Sequence, residues 1–524
     1  MTWPGRAIGG LAALLTATLV TACSPAVPSP RAPVPSGSAE PAQTDVASGA
    51  PSQLANGPSP TPAAVAVPPA HWSDCGKGFL CAEIRVPRNY AAPSDGYLDV
   101  SILELPATDP KSRIGSLIVN PGGPGASGVE FVREAVAADL FPTALRKRFD
   151  IVGFDPRGVN SSTAVRCIDN LDGRAEIDPS PDNAAELKAL VNDARAYADA
   201  CAKRNAAILP YLSTDAVARD LDAIRSAVGD DKLTYLGFSY GTLIGSAYAD
   251  LFPEHIRAMA LDGAIDPKLD LKGLRFGQAK GFEDALSSFL DDCAAKTSCA
   301  FHENGRSLQA FNSLMASIDA KSLPAILLND PRRVGPGIAW YSVLAALYSK
   351  DSWPTLATSL ELAKRGDGSL MLAIADPYRG RKPNGSYSNE QDAYTSNVCL
   401  DFQAPIDVTV YRAWAKQLEA TAPHWAELFA YNDLPCAFWP VPAERTPEAA
   451  SAAGAPPIVV VGSTGDPATP YPWAVALAKE LDSGVLVTRQ GDGHTGYLVS
   501  SCVKRAIDAY LIDLTVPRNG LTCK

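Results

Sequence analysis

The chain carries the stretch Leu233-Thr234-Tyr235-Leu236-Gly237-Phe238-Ser239-Tyr240-Gly241-Thr242. It begins as an apolar strand, passes through a Gly-x-Ser-x-Gly pattern and continues as a helix-forming run. A serine at such a strand-to-helix turn is held in a strained and exposed position, and the flanking glycines leave room for the turn. The helix that follows points its amide groups at developing negative charge. The stretch therefore predicts Ser239 as a nucleophile, while a purely structural turn is the other interpretation of the same residues.

A serine hydroxyl needs an adjacent base that a carboxylate orients, and in this strand–turn–helix context the chain order is Ser, Asp or Glu, His. The chain has five histidines, which are His71, His255, His302, His424 and His494. Of these, only His494 follows all the expected strands, in a glycine-rich loop before the last predicted helix. A lone histidine is more often packed or at the surface, but this position predicts His494 as the base.

Asp466 is the candidate for the acid that orients the base. It stands in Val459-Val460-Val461-Gly462-Ser463-Thr464-Gly465-Asp466-Pro467, at the carboxyl end of a buried type of strand. Catalytic groups gather at this end of the strands in open α/β sheets. Asp492 competes for the role, but it is too close in sequence to His494 to reach the ring well. A simple Asp-Pro turn is the other interpretation.

Acyl transfer also requires main-chain donors for the oxyanion. One is expected to be the backbone N–H of Tyr240, which directly follows the nucleophile. The second is expected in the loop Leu117-Ile118-Val119-Asn120-Pro121-Gly122-Gly123-Pro124-Gly125, because a glycine-rich turn exposes amides without obstruction by side chains. We predict Gly123 as this donor, with Gly122 as the next choice. A plain glycine turn remains open, and phosphate binding is disfavoured because no Gly-Lys-Ser sequence accompanies the loop.

Strand-like and helix-like segments alternate on both sides of Ser239, which is typical of a mostly parallel sheet covered by helices. The predicted strands are 82–86, 98–105, 116–120, 149–154, 232–237, 259–262, 457–462 and 484–488. The predicted helices include 184–204, 215–228, 242–251, 472–481 and 500–511. The sequence thus predicts an α/β-hydrolase fold with a mostly parallel central sheet. Its catalytic domain comprises 71–266 and 446–524, and a large, mainly helical lid is inserted at 267–445.

The amino-terminal residues are typical of export. Arg6 supplies a positive start and residues 7–22 form an apolar run too short for a stable membrane span. The run ends at Cys23 in a sequence that resembles a bacterial lipoprotein cleavage box, so residues 1–23 are predicted as a lipoprotein-type signal with lipidation of Cys23. An ordinary cleavage site with an incidental cysteine is the alternative. Residues 24–70, rich in Pro, Ala and Ser, are predicted as an extended tether, and the protein is expected to be anchored in the cell envelope or secreted.

The net charge and the cysteine content indicate which partners and which cellular compartment are expected. The formal net charge of -11 disfavours nucleic acid as a partner, because an acidic surface repels phosphate. Of the 11 cysteines, ten remain after Cys23, and an oxidising compartment permits disulfides. Pairing of neighbours in sequence predicts the bridges Cys75–Cys81, Cys167–Cys201, Cys293–Cys299, Cys399–Cys436 and Cys502–Cys523. Zinc is disfavoured because the chain has neither a CxxC pair nor an HExxH motif.

Three motifs occur together: Asn120-Pro121-Gly122-Gly123-Pro124-Gly125, Gly153-Phe154-Asp155-Pro156-Arg157-Gly158 and Gly237-Phe238-Ser239-Tyr240-Gly241. With Gly465-Asp466-Pro467-Ala468-Thr469-Pro470 and Gly493-His494, they resemble proline iminopeptidases and, more closely, secreted bacterial tripeptidyl aminopeptidases. The resemblance covers about residues 72–524 and implies a serine exopeptidase that acts on free amino termini, with Ser239, Asp466 and His494 as its triad. Asn120 stands where many proline iminopeptidases carry histidine, and Asn160 where the Asp-Pro-Arg-Gly turn usually continues with glycine.

An aminopeptidase must also bind the substrate ammonium, which a buried lid carboxylate does best. Asp401 is the candidate, because a disulfide at the nearby Cys399 would hold its segment in place, and Glu390 and Asp392 are the alternatives. No metal or organic cofactor is expected, and the expected partner is a peptide or protein with a free amino terminus. Two other functions stay open: an esterase or lipase that uses the same triad, and a lipid-anchored binding protein with an inactive hydrolase fold.

Overall fold

The computed structural model describes residues 67–524 of the chain. The predicted signal 1–23, the lipidation site Cys23 and the predicted tether up to residue 66 lie outside the described residues. Val67 and Ala70 already pack against the core, and the N–H of Ala70 donates to the carbonyl of Ala227 over 2.8 Å. Residues 67–70, which the predicted tether 24–70 includes, thus contact the folded part of the chain.

A large sheet organises the described part of the chain. The strands are β1 (Ser73–Asp74), β2 (Leu80–Pro87), β3 (Tyr97–Leu105), β4 (Gly115–Asn120), β5 (Phe149–Phe154), β6 (Leu233–Phe238), β7 (Ile256–Asp262), β8 (Leu323–Ala325), β9 (Asp330–Val334), β10 (Ile458–Gly465), β11 (Gly484–Asp492) and β12 (Leu521–Cys523). The sheet has 10 strands in the order β1-β2-β3-β5-β4-β6-β7-β10-β11-β12. Pairing is parallel from β5 through β12 and antiparallel among β1, β2, β3 and β5.

Helices cover both faces of this sheet and also make up most of the segment between β7 and β10. They are α1 (Gly128–Ala137), α2 (Thr143–Arg148), α3 (Asp172–Ala175), α4 (Ala184–Asn205), α5 (Thr214–Ala227), α6 (Tyr240–Leu251), α7 (Leu271–Ala295), α8 (Ser307–Ala320), α9 (Pro336–Leu347), α10 (Trp353–Lys364), α11 (Ser369–Tyr378), α12 (Glu390–Asp401), α13 (Val408–Leu418), α14 (Ala426–Tyr431), α15 (Tyr471–Glu480) and α16 (Ser501–Asp513). All residues of β4, β5 and β6 are buried, as expected for parallel strands covered on both sides.

Alternate residues of the central strands point into two separate apolar clusters. Ile118 and Tyr235 pack on the side of α5, α6 and α15, whereas Leu117, Val119 and Leu236 pack on the side of α1, α2 and α16. This alternation follows from the period of two in a strand, which sends successive side chains to opposite faces. The prediction of an α/β-hydrolase fold with a mostly parallel central sheet is confirmed.

The segment between β7 and β10 is mainly helical, with α7 to α14 and the small antiparallel pair β8–β9, and none of its strands joins the large sheet. This agrees with an insertion, while its exact limits at 267 and 445 stay a prediction. All five predicted disulfides are present: Cys75–Cys81, Cys167–Cys201, Cys293–Cys299, Cys399–Cys436 and Cys502–Cys523. Neighbours in sequence are also neighbours in space at each of these sites.

Candidate active site

Ser239 occupies the turn between β6 and α6. Its backbone has φ 55° and ψ -123°, a conformation that L-residues rarely adopt. The turn is held in place by hydrogen bonds: the N–H of Ser239 donates to the carbonyl of Asp262 over 2.9 Å, and the Thr242 hydroxyl donates to the carbonyl of Ser239 over 2.6 Å. Neighbouring elements thus enforce a strained backbone, which projects the serine beyond the carboxyl end of its strand.

The glycine-rich loop after β4 lies directly against this turn. A Cβ atom on Gly122 would come within 2.8 Å of the Tyr240 nitrogen and 3.0 Å of the Ser239 Cβ, so a side chain cannot be accommodated there. Tyr240 is the first residue of α6, where a backbone N–H has no partner within the helix. Gly123, Ser239 and Tyr240 line the same cavity. The loop and the helix start therefore meet beside the serine, as an oxyanion site requires.

Asp466 and His494 come together from the ends of two neighbouring strands. The Nδ1 atom of His494 lies 2.8 and 2.9 Å from the two carboxylate oxygens of Asp466, and both side chains are buried. The backbone amides of Ala468 and Thr469 also donate to this carboxylate. The other ring nitrogen, Nε2, is buried and has no hydrogen-bond partner among residues 67–524. The pair thus presents one nitrogen of an oriented imidazole, with its lone pair unused.

Thr469 takes part in this arrangement, and sequence reasoning did not single it out. Its hydroxyl oxygen lies 3.0 Å from Oδ2 of Asp466 and 3.2 Å from Nδ1 of His494, and the residue also lines the cavity. The hydroxyl therefore holds the carboxylate in its orientation toward the ring. Its place in Asp-Pro-Ala-Thr-Pro, three residues after the predicted acid, is the signal that could have pointed to it, because a threonine at this spacing readily bonds back to an aspartate.

Asp262 is a second buried carboxylate near His494 that the sequence analysis missed. It ends β7, and its oxygens accept hydrogen bonds from the N–H groups of Gly496 and Tyr497 at 2.7 to 3.0 Å. Burial raises the pKa of Asp262 to about 6, which the two backbone donors partly oppose. Asp262 therefore anchors the loop that carries the histidine, and it acts on the position of that loop rather than on the ring.

The inserted segment also contacts His494. The N–H of His494 donates to the carbonyl of Tyr348 over 2.8 Å, and the two rings pack edge to face with their centroids 5.4 Å apart. Gly263 packs on the other side, where an added Cβ would come within 3.0 Å of the ring carbon Cε1. The imidazole is thus fixed by the inserted segment on one side and by the sheet on the other.

The cavity beside Ser239 is roofed by the inserted segment. Its walls come from the glycine-rich loop, α6, α7, α9, α11, α12 and α14, with aromatic side chains from Phe282, Tyr341, Tyr348, Tyr378 and Tyr394. Glu390 is the only acidic residue among its lining residues in the described chain. The cationic Arg275 also lines it, but its charge is balanced by the buried Asp433, at 2.7 Å between Nη2 and Oδ1. The lining is therefore mainly apolar, with the charge of Arg275 compensated by Asp433 and with Glu390 as a further charged residue.

Comparison with known proteins places this geometry in a family. A family model described as TAP-like protein matches residues 422–523. The chain is 38% identical over 480 residues to the serine protease Hip1 of Mycobacterium tuberculosis, covering 87% of this chain and 91% of that protein. The tripeptidyl aminopeptidase of Streptomyces coelicolor is 32% identical over 472 residues, with 86% and 85% covered. The chain belongs to the tripeptidyl aminopeptidase-like family of α/β-hydrolases. It is a serine hydrolase.

Another relative with a sequence identity between these two values carries a different name. Carboxylesterase B of Mycobacterium tuberculosis is 36% identical over 487 residues, covering 89% of this chain and 92% of that protein. The relatives of this chain thus include one protein named as a protease, one named as an aminopeptidase and one named as an esterase. Membership therefore establishes a serine hydrolase of this family and leaves the choice of substrate to the residues of the site.

Asp401, which the sequence predicted as the amine-binding residue of this enzyme, lies elsewhere. It is fully buried at the end of α12 and is not among the residues that line the cavity. Its oxygens accept hydrogen bonds from the backbone N–H of Thr214 over 2.8 Å and from the hydroxyls of Thr214 and Tyr240. Burial raises its pKa to about 6. Asp401 thus ties the inserted segment to α5 and to the residue after the nucleophile, because its lone pairs are used inside the protein.

The alternatives named for the amine site differ from each other in position. Asp392 is buried and accepts from the Tyr197 hydroxyl over 2.6 Å and from the N–H of Cys167 over 2.9 Å, so it too is a structural carboxylate. Glu390 opens α12 at the cavity wall, and its carbonyl lies where a Cβ on Gly125 would come within 2.5 Å. Within residues 67–524, no group of three or more His, Cys, Asp or Glu side chains is arranged to hold a metal ion.

Proposed function

We propose that this enzyme is a serine exopeptidase that releases short peptides, tripeptides by the resemblance, from the free amino termini of peptides or proteins. The observation that carries the proposal is the His494 ring, which is bound to Asp466 through Nδ1 and has a buried, unpartnered Nε2. Thr469, which contacts this ring, lines the same cavity as Ser239. The named relatives support peptide substrates, since one is a serine protease and another a tripeptidyl aminopeptidase.

The chemistry follows from the positions of these groups. Nε2 of His494 takes the Ser239 proton as Oγ forms a bond to the scissile carbonyl carbon, and Asp466 stabilises the resulting imidazolium. The N–H groups of Tyr240 and Gly123 donate to the oxyanion. The C–N bond then breaks, and the leaving amine receives the proton from His494. Water attacks the acyl-enzyme with His494 as base, which frees the acyl peptide as a carboxylic acid and restores the serine hydroxyl.

An exopeptidase must also limit how far the substrate extends beyond the cleaved bond. The inserted segment closes over the cavity with apolar and aromatic residues, and Glu390 supplies a carboxylate in its wall. An ammonium group taken from water into such a site is stabilised best by a charged acceptor. We therefore assign the role of binding the substrate ammonium to Glu390, in place of Asp401.

Product identification tests the proposed activity. The purified enzyme is incubated with a free-amine decapeptide and with the same peptide acetylated at its amino terminus, and the products are identified by mass spectrometry. Stepwise release of tripeptides from the free peptide alone supports the proposal. Release of single residues would place the enzyme among the proline iminopeptidase-like exopeptidases instead. Equal cleavage of the acetylated peptide would contradict the aminopeptidase assignment.

Replacement of Glu390 by Gln is expected to raise KM for free-amine peptides by about 10- to 100-fold, because it removes the charge that offsets a buried ammonium. The measurement is kcat and KM for a tripeptidyl anilide, with Glu419→Gln, an exposed carboxylate of the same segment, as the matched control. Hydrolysis of a neutral ester should change little in either variant. An equal loss on ester and peptide would show that Glu390 supports the fold of the site and not amine recognition.

Ester hydrolysis is the second candidate, favoured by the resemblance to a protein named carboxylesterase B. The same serine, histidine and main-chain donors attack an ester carbonyl, so the chemistry is shared. The two functions differ in their need for a free amine. An esterase would hydrolyse short acyl esters faster than aminoacyl or tripeptidyl anilides and would be indifferent to acetylation of the amine.

We also propose that the enzyme is exported and anchored by a lipid on Cys23. The five disulfides within residues 67–524 support an oxidising compartment. In that same range, no helix has the length and apolar character needed to cross a bilayer. We expect a labelled fatty acid to be incorporated into the protein in cells and to be lost in Cys23→Ser. Incorporation that persists in the variant would exclude Cys23 as the acceptor.

A further inference from the structure

The turn between β8 and β9 exposes three consecutive aliphatic side chains. Ile326, Leu327 and Leu328 are 64%, 71% and 46% exposed. Isolated exposed apolar residues are common on protein surfaces, but a contiguous group at the tip of a hairpin is not explained by that background. The strands behind the tip are short, with Leu323 opposite Val334 and Pro324 opposite Arg333.

The backbone of this tip is held from inside the protein. The buried carboxylate of Asp367 accepts hydrogen bonds from the N–H groups of Ile326 and Leu327, at 3.0 and 3.2 Å. The hydroxyl of Ser369 accepts from the N–H of Leu328 over 3.2 Å, and the N–H of Asn329 donates to the carbonyl of Ile326 over 3.1 Å. All four backbone donors of the turn are therefore satisfied without water, while the aliphatic side chains point outward.

Two cations stand at the base of the tip. Lys321 and Arg333 are exposed, and neither has a carboxylate within 4.0 Å in the described part of the chain. The Arg333 side chain is bound to Ser322, the residue after Lys321, since its Nε donates to the Ser322 hydroxyl over 2.8 Å. By contrast, the nearby Arg332 is bound by Asp330 and Asp376. An apolar tip above two cations that lack a carboxylate partner within residues 67–524 matches the layering of a lipid surface, in which acyl chains lie beneath phosphate groups.

We propose that the Ile326–Leu328 tip inserts into the surface of a lipid membrane. A hydrocarbon environment penalises every unsatisfied backbone donor, and this turn has already paired its four within the protein. A protein partner would not require these backbone donors to be paired in advance, since it can supply acceptors of its own. The formal net charge of -11 opposes attraction to anionic surfaces at long range, so apolar insertion supplies most of the affinity and the two cations orient the tip.

A fluorescent probe on the tip tests this directly. The full chain is produced with Cys23→Ser, which removes the expected lipid anchor and leaves ten cysteines, all in disulfides within the described residues. Leu327→Cys then introduces one free thiol for labelling with an NBD fluorophore. Ile406→Cys, at an aliphatic residue that is 80% exposed, gives a matched control. Each protein is mixed with vesicles of phosphatidylcholine and with vesicles that also contain phosphatidylglycerol.

The probe at position 327 is expected to shift to shorter wavelength and brighten on both vesicle types, with little change at position 406. In vesicle pelleting with the Cys23→Ser chain, Ile326→Asp/Leu327→Asp should lower the tip-dependent binding at least about tenfold, since each buried aliphatic side chain contributes at least about that factor. Ile406→Asp should leave binding unchanged. An unchanged probe at position 327 on both vesicles would overturn the proposal. So would a shift that occurs without vesicles and grows with protein concentration, because the occupant would then be a second copy of the chain.

Discussion

Ser239→Ala is expected to lower kcat by about 10⁵-fold, since removal of the nucleophile of a serine triad costs about that much while the oxyanion donors and substrate binding remain. The backbone of the turn is set by hydrogen bonds that do not involve the serine hydroxyl, so the fold should be retained. The measurement is single-turnover and steady-state hydrolysis of a tripeptidyl anilide, together with labelling by a fluorophosphonate, which reacts only with an activated serine.

Ser246→Ala is the matched control for this variant. Ser246 lies on the same helix and is buried, and its hydroxyl donates to the carbonyl of Leu243 over 3.0 Å. This substitution is expected to leave hydrolysis and labelling within about twofold of the parent enzyme, because the hydroxyl makes only a local helix contact. Full hydrolysis by Ser239→Ala would refute the assignment of the nucleophile. Absence of fluorophosphonate labelling in the parent enzyme itself would favour an inactive hydrolase fold.

Asp466→Asn is expected to lower kcat by about 10⁴-fold at neutral pH. The amide keeps the size of the carboxylate but no longer favours the tautomer that leaves Nε2 free to accept a proton, and it does not stabilise the imidazolium. Both carboxylate oxygens lie within 2.9 Å of Nδ1, so the substitution acts on a contact that is already formed. The measurement is the pH dependence of kcat, which should rise toward high pH in the variant as hydroxide replaces the weakened base.

Asp492→Asn provides the matched control, because Asp492 is the other aspartate near His494 in sequence. Its carboxylate lies 2.6 Å from Nζ of Lys350 and is partly exposed, and no hydrogen bond joins it to the imidazole in the described residues. The substitution is expected to change kcat by less than about threefold, as a surface ion pair contributes little. A loss in Asp492→Asn as large as that in Asp466→Asn would contradict the choice of acid.

Much of the fold could be predicted because its strands obey simple patterns. The runs that become β4, β5 and β6 are apolar, short and bounded by turn residues, and each is buried along its whole length. The cysteine pairs could be predicted for a similar reason, since each partner is the next cysteine in the chain. The family resemblance from separate motifs is likewise confirmed by relatives that cover most of the chain.

The proposed amine site could not be predicted in the same way. Asp401 and Glu390 lie on one helix, and nothing in their local sequence distinguishes a carboxylate that faces Thr214 from one that faces the cavity. The roles of Thr469, Asp262 and Tyr348 depend on which loops meet at His494. These contacts join elements that are far apart in sequence, so no local pattern carries them.

The sequence by itself determined the order of the strands and helices, the turn that holds Ser239 and the loops in which Asp466 and His494 stand. Parallel pairing then brings the carboxyl ends of β6 and β10 and the loop after β11 to one edge of the sheet, which is why separate motifs meet at one place. Only the tertiary structure decided which carboxylate lines the cavity and which accepts hydrogen bonds inside the protein. The physical reason is that burial and hydrogen-bond partners determine whether a charged group can still bind a ligand, and both are set by contacts between distant segments.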